Sequence, residues 1–388
     1  MKILTLSSLY PNENLPGRGS FVENKLKHLR VNSTIEHKVV SPVPHLPVIG
    51  QFLPSQKPFE TVKKYECRGG FDVYYPKYLH IPGLSMNMGP RNMYKACKPI
   101  LQRLINEGFD FDLIDSHYVY PDGVAAYYLA QYFNKPFTVT ALGTDINILP
   151  GFDKPRERII EALQSADGIT AVSKDLCHKM VALGAPENKT KAIYNGVDLE
   201  MFSVQNKQKA KHKIGAEGNV LLSIGNLVSL KGFDLIIKAL DQIDSAMLFI
   251  AGSGPEEANL QKLISDLKLE KRVRLVGRLA QKDLADYYNA ADIFILASSH
   301  EGMANVLLES IACGTPVIAT PIPGMDEVIT DEAIGLIMEE RSSGAIQKSV
   351  TALLSDMPDR AIVRRHAEKF NWNQTSIAQI ELFEKIIG

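Results

Sequence analysis

The chain has 388 residues, 45% of them hydrophobic, with 43 Lys and Arg balanced against 44 Asp and Glu for a net charge of −1. That length exceeds one ordinary core and suits two domains of under about 200 residues each. The balanced charge supplies no bulk field for a polyanion, which excludes nucleic acid as a partner.

The opening Met1-Lys-Ile-Leu-Thr-Leu-Ser-Ser-Leu carries a basic residue and an apolar run. Tyr10-Pro-Asn-Glu and Gly17-Arg-Gly follow too soon for a signal peptide, so residues 3–6 read as a first core strand. Gly17 and Gly19 let the next loop approach a ligand closely before a helix with Val22, Leu26 and Leu29 on one side. Residues 41–81 are rich in proline, aromatic and basic residues and are expected to be irregular. Strand-like runs at 111–115, 137–140 and 168–172 complete the first half, with His117 just beyond the first of them and Asp145 in the loop after the second.

Residues 203–213 are polar and lysine-rich with no apolar period, which places a domain boundary near 204. Runs at 220–224, 247–251, 273–276, 293–297 and 317–319 then alternate with helical patterns. Such alternation predicts an α/β protein with parallel sheets covered by helices. The last segment has helical spacing in Ile377, Ile380, Leu382, Phe383 and Ile386 and begins with the only tryptophan, Trp372. Cys67, Cys97, Cys177 and Cys313 lack C-x-x-C spacing, so they read as reduced cytosolic thiols. No apolar run reaches the roughly 18 to 20 residues of a membrane-spanning helix, so any membrane contact is expected to be peripheral.

The richest stretch runs from Ser298 to Glu327. A buried strand over 291–297 is broken by turn chemistry at Ser298-Ser-His-Glu-Gly302, and a helix-compatible run from Ala304 stops at Gly314 and Pro316. Free N–H groups near Ala304, Asn305 and Val306 can face an anion such as a diphosphate. Glu301 precedes this helix and Glu309 lies more than a turn inside it, so one carboxylate can accept sugar hydroxyls and the other a ribose diol. The plain alternative is two surface glutamates. Between another strand and helix, Gly225-Asn226-Leu-Val-Ser-Leu-Lys231-Gly232 suits a diphosphate or is a solvated lysine beside a turn. Gly252-Ser-Gly-Pro-Glu256 is not a dinucleotide fingerprint, because Glu257 replaces the third glycine and two glutamates repel phosphate.

The block Glu301-Gly-Met-Ala-Asn-Val-Leu-Leu-Glu309, followed by Ala312-Cys-Gly-Thr-Pro-Val317 and by Gly324 and Glu327, resembles the retaining glycosyltransferases of family four. The resemblance extends over nearly the whole chain. It implies the GT-B architecture, with two Rossmann-like domains facing a cleft: 1–203 on the acceptor side, joined by a crossover helix at 371–388, and 204–370 binding the donor. It implies a donor site of Gly17, Gly19, Asn226, Lys231, Gly277, Arg278, Gly302, Met303, Ala304, Asn305, Val306 and Glu309, with Glu301 on the donor sugar, Glu309 on the ribose and Arg278 bordering the base. Asn226 stands where many members carry arginine, which removes one positive charge. His117 matches a strand-end histidine that positions the donor sugar. Asp145 matches a loop aspartate that binds acceptor, orients His117 or caps a turn.

The activity so implied is metal-independent, retaining transfer from a UDP- or GDP-sugar to a saccharide or lipid-linked acceptor in polysaccharide biosynthesis. The nucleoside diphosphate sugar is a substrate, no cofactor is called for, and no D-x-D motif stands in the matched loops. A cytoplasmic enzyme of this kind can dock on the inner leaflet through Lys25, Lys27, Arg30, Lys95, Lys98 and Arg103, or these can be ordinary solvated faces. A nucleotide-sugar epimerase, a phosphorylase and a catalytically silent binding subunit are the competing readings.

Overall fold

The computed structural model describes residues 1–47, 56–81, 83, 85–244 and 246–388. They form two compact units, Met1–Asn195 with Trp372–Gly388, and Gly196–Asn371. The first unit contains β1 (Lys2–Leu6), β2 (Glu36–Val40), β3 (Val43–His45), β4 (Tyr65–Arg68), β5 (Phe71–Tyr74), β6 (Lys77–Leu79), β7 (Leu113–His117), β8 (Phe137–Ala141), β9 (Gly168–Ala171) and β10 (Thr190–Ala192). Eight of them make one sheet in the order β10-β9-β8-β7-β1-β2-β5-β4, and β3 pairs separately with β6. Every pairing is parallel except β4 with β5. The central strands β7 and β8 are buried at every position, as a parallel sheet covered on both faces requires.

The expectation of irregular structure over 41–81 is corrected: β3 to β6 lie there, and only 48–55 falls outside the described residues. The signal was Gly69-Gly70, both at positive φ (58° and 83°), which turns the β4–β5 hairpin as a two-residue loop demands.

The helix Trp372–Ile387 belongs to the first unit, where it packs along helix Ser20–Val31. Trp372 stacks on His28 with ring centroids 5.6 Å apart, and Phe383 closes a small core with Ile3, Ile35 and Leu113. Its buried file is Trp372, Ser376, Gln379 and Phe383, whereas Ile377 is 54% exposed, so the apolar stripe is rotated from the one expected.

The second unit has one parallel sheet of β11 (Asn219–Ile224), β12 (Ala246–Ala251), β13 (Val273–Gly277), β14 (Ile293–Leu296), β15 (Val317–Ala319) and β16 (Gly335–Ile337). Its order is β13-β12-β11-β14-β15-β16. Leu221, Leu248, Ile293 and Ile318 meet Ile236, Ile237 and Ile346 from the covering helices. The lysine-rich segment is not a solvated linker. It forms helix Lys207–Ile214, capped by Asn206, and Lys207 and Lys211 both bind Asp292 just before β14, at 2.9 and 2.6 Å. Lysine stems can lie along a core while the ammonium finds a carboxylate, a burial that apolar periodicity does not register. Among the described residues, no helix is long and apolar enough to cross a membrane.

Candidate active site

In the second unit the strand order reverses between β11 and β14, and an open parallel sheet leaves a crevice at such a reversal, outside the carboxyl ends of the strands. A cavity of about 340 Å³ lies there. Its lining comes from the ends of four strands: Ile224, Gly225, Asn226 and Lys231 after β11, Gly252 and Ser253 after β12, Arg278 and Leu279 after β13, and Glu301 with Met303, Ala304, Asn305 and Val306 after β14. Ala251 and Leu284 complete it. Gly277, Gly302 and Glu309 do not line it. Ser253, Leu279 and Leu284 were not singled out in the sequence, where 252–254 served only to exclude a dinucleotide site.

Two close approaches shape this floor. A Cβ on Gly252 would lie 1.8 Å from the Gly225 carbonyl oxygen, and one on Gly254 would lie 2.4 Å from that of Leu227, so both positions require glycine for the β12 and β11 loops to touch. Gly232, at φ 66°, sits 2.4 Å in the same sense from the Ala297 carbonyl, which also accepts from Arg341 Nε at 2.8 Å. The Lys231-Gly232 dipeptide thus seats Lys231 against the end of β14, where its Nζ meets Glu301 Oε1 at 2.5 Å. Both side chains are largely buried, at 20% and 12% exposure. Helix Asn305–Ala312 starts at Ala304 with no side-chain cap; the Asn305 N–H donates to the Met303 carbonyl at 3.0 Å and the Leu307 N–H to the Ala304 carbonyl at 2.9 Å, and Ala304, Asn305 and Val306 line the cavity wall.

Glu309 is half-buried on the second turn of that helix, and its Oε2 accepts from the Tyr288 hydroxyl at 2.8 Å. Burial pushes its carboxyl up to about 7, against the hydrogen bonds from Tyr288 and Gln281. The group is therefore balanced between neutral and ionised near neutrality.

The first unit has its own reversal, between β7 and β1. His117 ends β7 and is 1% exposed, and Asp115 Oδ2 accepts from its Nε2 at 2.9 Å. Residues two apart on a strand share a face, so the pairing follows from the sequence spacing. Burial raises the Asp115 carboxyl, but His117 first, then Lys25 and Thr138, hold it well below the usual range. Lys25 is itself buried, and burial lowers its pKa against the pull of Asp115. That corrects its expected place on an exposed basic face.

Asp145 is engaged by backbone, in keeping with the turn-capping alternative. Its two oxygens accept backbone N–H groups from Val119 at 2.8 Å, Gly143 at 2.7 Å and Leu142 at 3.1 Å, and its side chain has no exposure left. It fastens the loop after β8 to the loop after β7. Asp122 plays a similar part, taking the Ser8 backbone N–H and the Ser8 hydroxyl and joining the loop after β7 to the loop after β1. Gly17 is exposed. Gly19 has φ 63°, and a Cβ there would lie 2.0 Å from the Leu9 carbonyl oxygen, so the chain's own approach already requires this glycine. Arg18 is half-buried: its Nε donates to Ser8 O at 3.1 Å and its guanidinium lies over Phe59. Among the described residues, no group of His, Cys, Asp and Glu is arranged to hold a metal ion.

Comparison with known proteins gives a consistent family. The model of Glycosyl transferases group 1 matches residues 204–370, and that of Glycosyltransferase Family 4 matches residues 59–201. The chain is 26% identical over 358 residues to a protein of Bacillus subtilis (strain 168) provisionally named the teichuronic acid biosynthesis glycosyltransferase TuaC, covering 90% of this chain and 88% of that one. In structure it is similar to sucrose-phosphate synthase from Thermosynechococcus elongatus, with a TM-score of 0.81 and 18% identity over 99% of each chain. It is also similar to Anabaena HepE solved with UDP-glucose, with a TM-score of 0.73 and 19% identity over 98% of this chain and 99% of that one.

Proposed function

The chain belongs to glycosyltransferase family 4, in the glycosyl transferases group 1 with the GT-B fold, and from that premise we propose that it transfers a sugar with retention from a UDP- or GDP-sugar to a saccharide or lipid-linked acceptor, without a metal. The observation that carries this reading is the Lys231–Glu301 pair, set beside an uncapped helix start in a cavity at the strand-order reversal. A lysine and helix-terminal amides suit a diphosphate, and a carboxylate beside them suits the hydroxyls of the attached sugar.

In this reading the diphosphate takes Lys231 and the amides at the helix start beside Asn305, whose own N–H is held by the Met303 carbonyl, the sugar takes Glu301, the ribose takes Glu309, and Arg278 borders the base. Asn226, lacking a charge, leaves Lys231 as the principal cation on the phosphates. His117, held by Asp115, positions the donor sugar. The bond from the sugar's anomeric carbon to the phosphate oxygen breaks as the acceptor oxygen bonds to the same face of that carbon. The acceptor proton passes to the departing diphosphate, whose growing charge Lys231 and the helix amides offset. The UDP-glucose bound by a protein of the same fold is in keeping with such a donor.

Slow hydrolysis of UDP- or GDP-sugars, followed by NMR in EDTA, tests both stereochemistry and metal independence. Retention predicts that the first sugar released from an α-linked donor is the α anomer. A β anomer released first, or turnover restored only by a divalent ion, would overturn the proposal.

A further inference from the structure

Lys231 can meet Glu301 only because two loops at the carboxyl edge of the second sheet lie side by side. Lys231 is carried by the loop after β11 and Glu301 by the loop after β14. A main-chain bond joins the two, from the Ser299 N–H to the Leu230 carbonyl at 2.8 Å. Leu230 adjoins Lys231, and Ser299 stands two residues before Glu301.

A third loop reaches the same point. Arg341 follows β16, and its Nε donates to the Ala297 carbonyl at 2.8 Å while its Nη2 reaches the Leu230 carbonyl at 3.5 Å. A guanidinium directs its N–H groups as a fixed planar fork, so one side chain can bridge two carbonyls. Gly232 leaves the room for it, since a Cβ there would lie 2.8 Å from Arg341 Nη2. The neighbouring acids are occupied: Glu339 pairs with Lys348 at 2.7 Å, and Glu340 accepts from the Ser342 hydroxyl at 2.8 Å. The backbone that carries Arg341 is also anchored. Ser342 caps helix Ser343–Ser355 by accepting the Ala345 N–H at 3.1 Å, and that helix sinks Ile346 and Val350 into the core.

We propose that Arg341 is a positioning residue for the donor site, bridging the loops after β11 and β14 so that Lys231 is set against Glu301. It does not line their cavity and acts only through the two loops. The clamp itself needs no ligand; its effect on transfer rests on the nucleotide-sugar site proposed above.

Two measurements on the full chain test it. In the ligand-free protein, hydrogen exchange at the Ser299 amide reads the bond between the loops, and Arg341→Ala should speed it roughly fivefold. The melting temperature should stay near the parent's, because the side chain is exposed. With UDP and GDP, calorimetry follows a double-mutant cycle: Arg341→Ala weakens binding roughly fivefold in the parent and less than about twofold in Lys231→Ala, since an effect carried by Lys231 disappears with it. Arg341→Lys, which can serve one carbonyl but not both, should recover part of the loss. Unchanged exchange at Ser299, or an equal loss of affinity in both backgrounds, would overturn the clamp. A parent that binds no nucleotide while Arg341→Ala still speeds exchange at Ser299 would overturn the donor reading and leave the clamp standing.

Discussion

Lys231 and Glu301 pair at 2.5 Å, and the proposed donor would part them, offering phosphate to one and hydroxyls to the other. Lys231→Ala removes a charged hydrogen-bond donor, so UDP or GDP affinity measured by calorimetry should fall by about 10- to 100-fold, the equivalent of roughly 1.5–3 kcal/mol. An unchanged affinity would remove Lys231 from the site. Glu309, pushed up to about 7 by burial, makes a second prediction. A ribose diol donates to the ionised carboxylate, so donor affinity should rise as the pH passes upward through about 7, and that dependence should vanish in Glu309→Gln; a flat profile in the parent would contradict the contact. Glu301, Lys231 and the helix start were legible in the sequence because strand, turn and helix signals set them in order. For Asp145 the sequence left acceptor binding, orientation of His117 and turn capping open, because a carboxylate's choice between a ligand and backbone N–H groups depends on how two distant loops lie. Asp115 was within reach, since it stands two residues before His117 on one strand.

The glycines of the second unit belong to the element scale, because they decide how closely the β11, β12 and β14 loops approach. Gly252→Ala places a methyl group 1.8 Å from the Gly225 carbonyl oxygen, so the loop must shift. A cost of about 1–3 kcal/mol is expected, seen as a lower melting temperature together with weakened nucleotide binding. A variant as stable as the parent would show that this approach is not demanded. In the first unit, Phe383→Ala empties the contact with Ile3, Ile35 and Leu113 and should cost about 3–5 kcal/mol. Alternation of apolar runs with helical patterns made both parallel sheets legible. What periodicity missed has identifiable causes: β4 and β5 are short strands joined by two glycines, and helix Lys207–Ile214 is held by two lysines on Asp292. Ile377 misled the reading of the last helix because the buried face there is shared by Ser376 and Gln379.

Across the whole molecule, burial raises three carboxyls: Asp122 to about 7, Asp145 to about 6 and Glu309 to about 7. The folded state holds those protons more tightly than the unfolded chain, so their stabilising contribution is full below about pH 4 and is lost as the pH rises through 6 to 7. His37, lowered to about 4 by burial, works the other way and removes stability as the pH falls below about 6.5. The carboxyls outnumber it, and the ligand-free protein should melt higher at about pH 6 than at about pH 8, with a shallower difference in Asp122→Asn. An opposite slope would mean that these carboxyls are ionised in the fold. The two-unit architecture was legible from length and strand spacing, and the boundary expected near 204 lies within ten residues of the division at Asn195 and Gly196. The central claim is a nucleotide-sugar donor site at the reversal of the second sheet, and thermal stability with UDP, GDP and their sugars in EDTA tests it most directly. The account predicts that one nucleotide series raises the melting temperature of the parent and leaves Lys231→Ala and Glu301→Ala little changed; a parent protein indifferent to every nucleotide would contradict it.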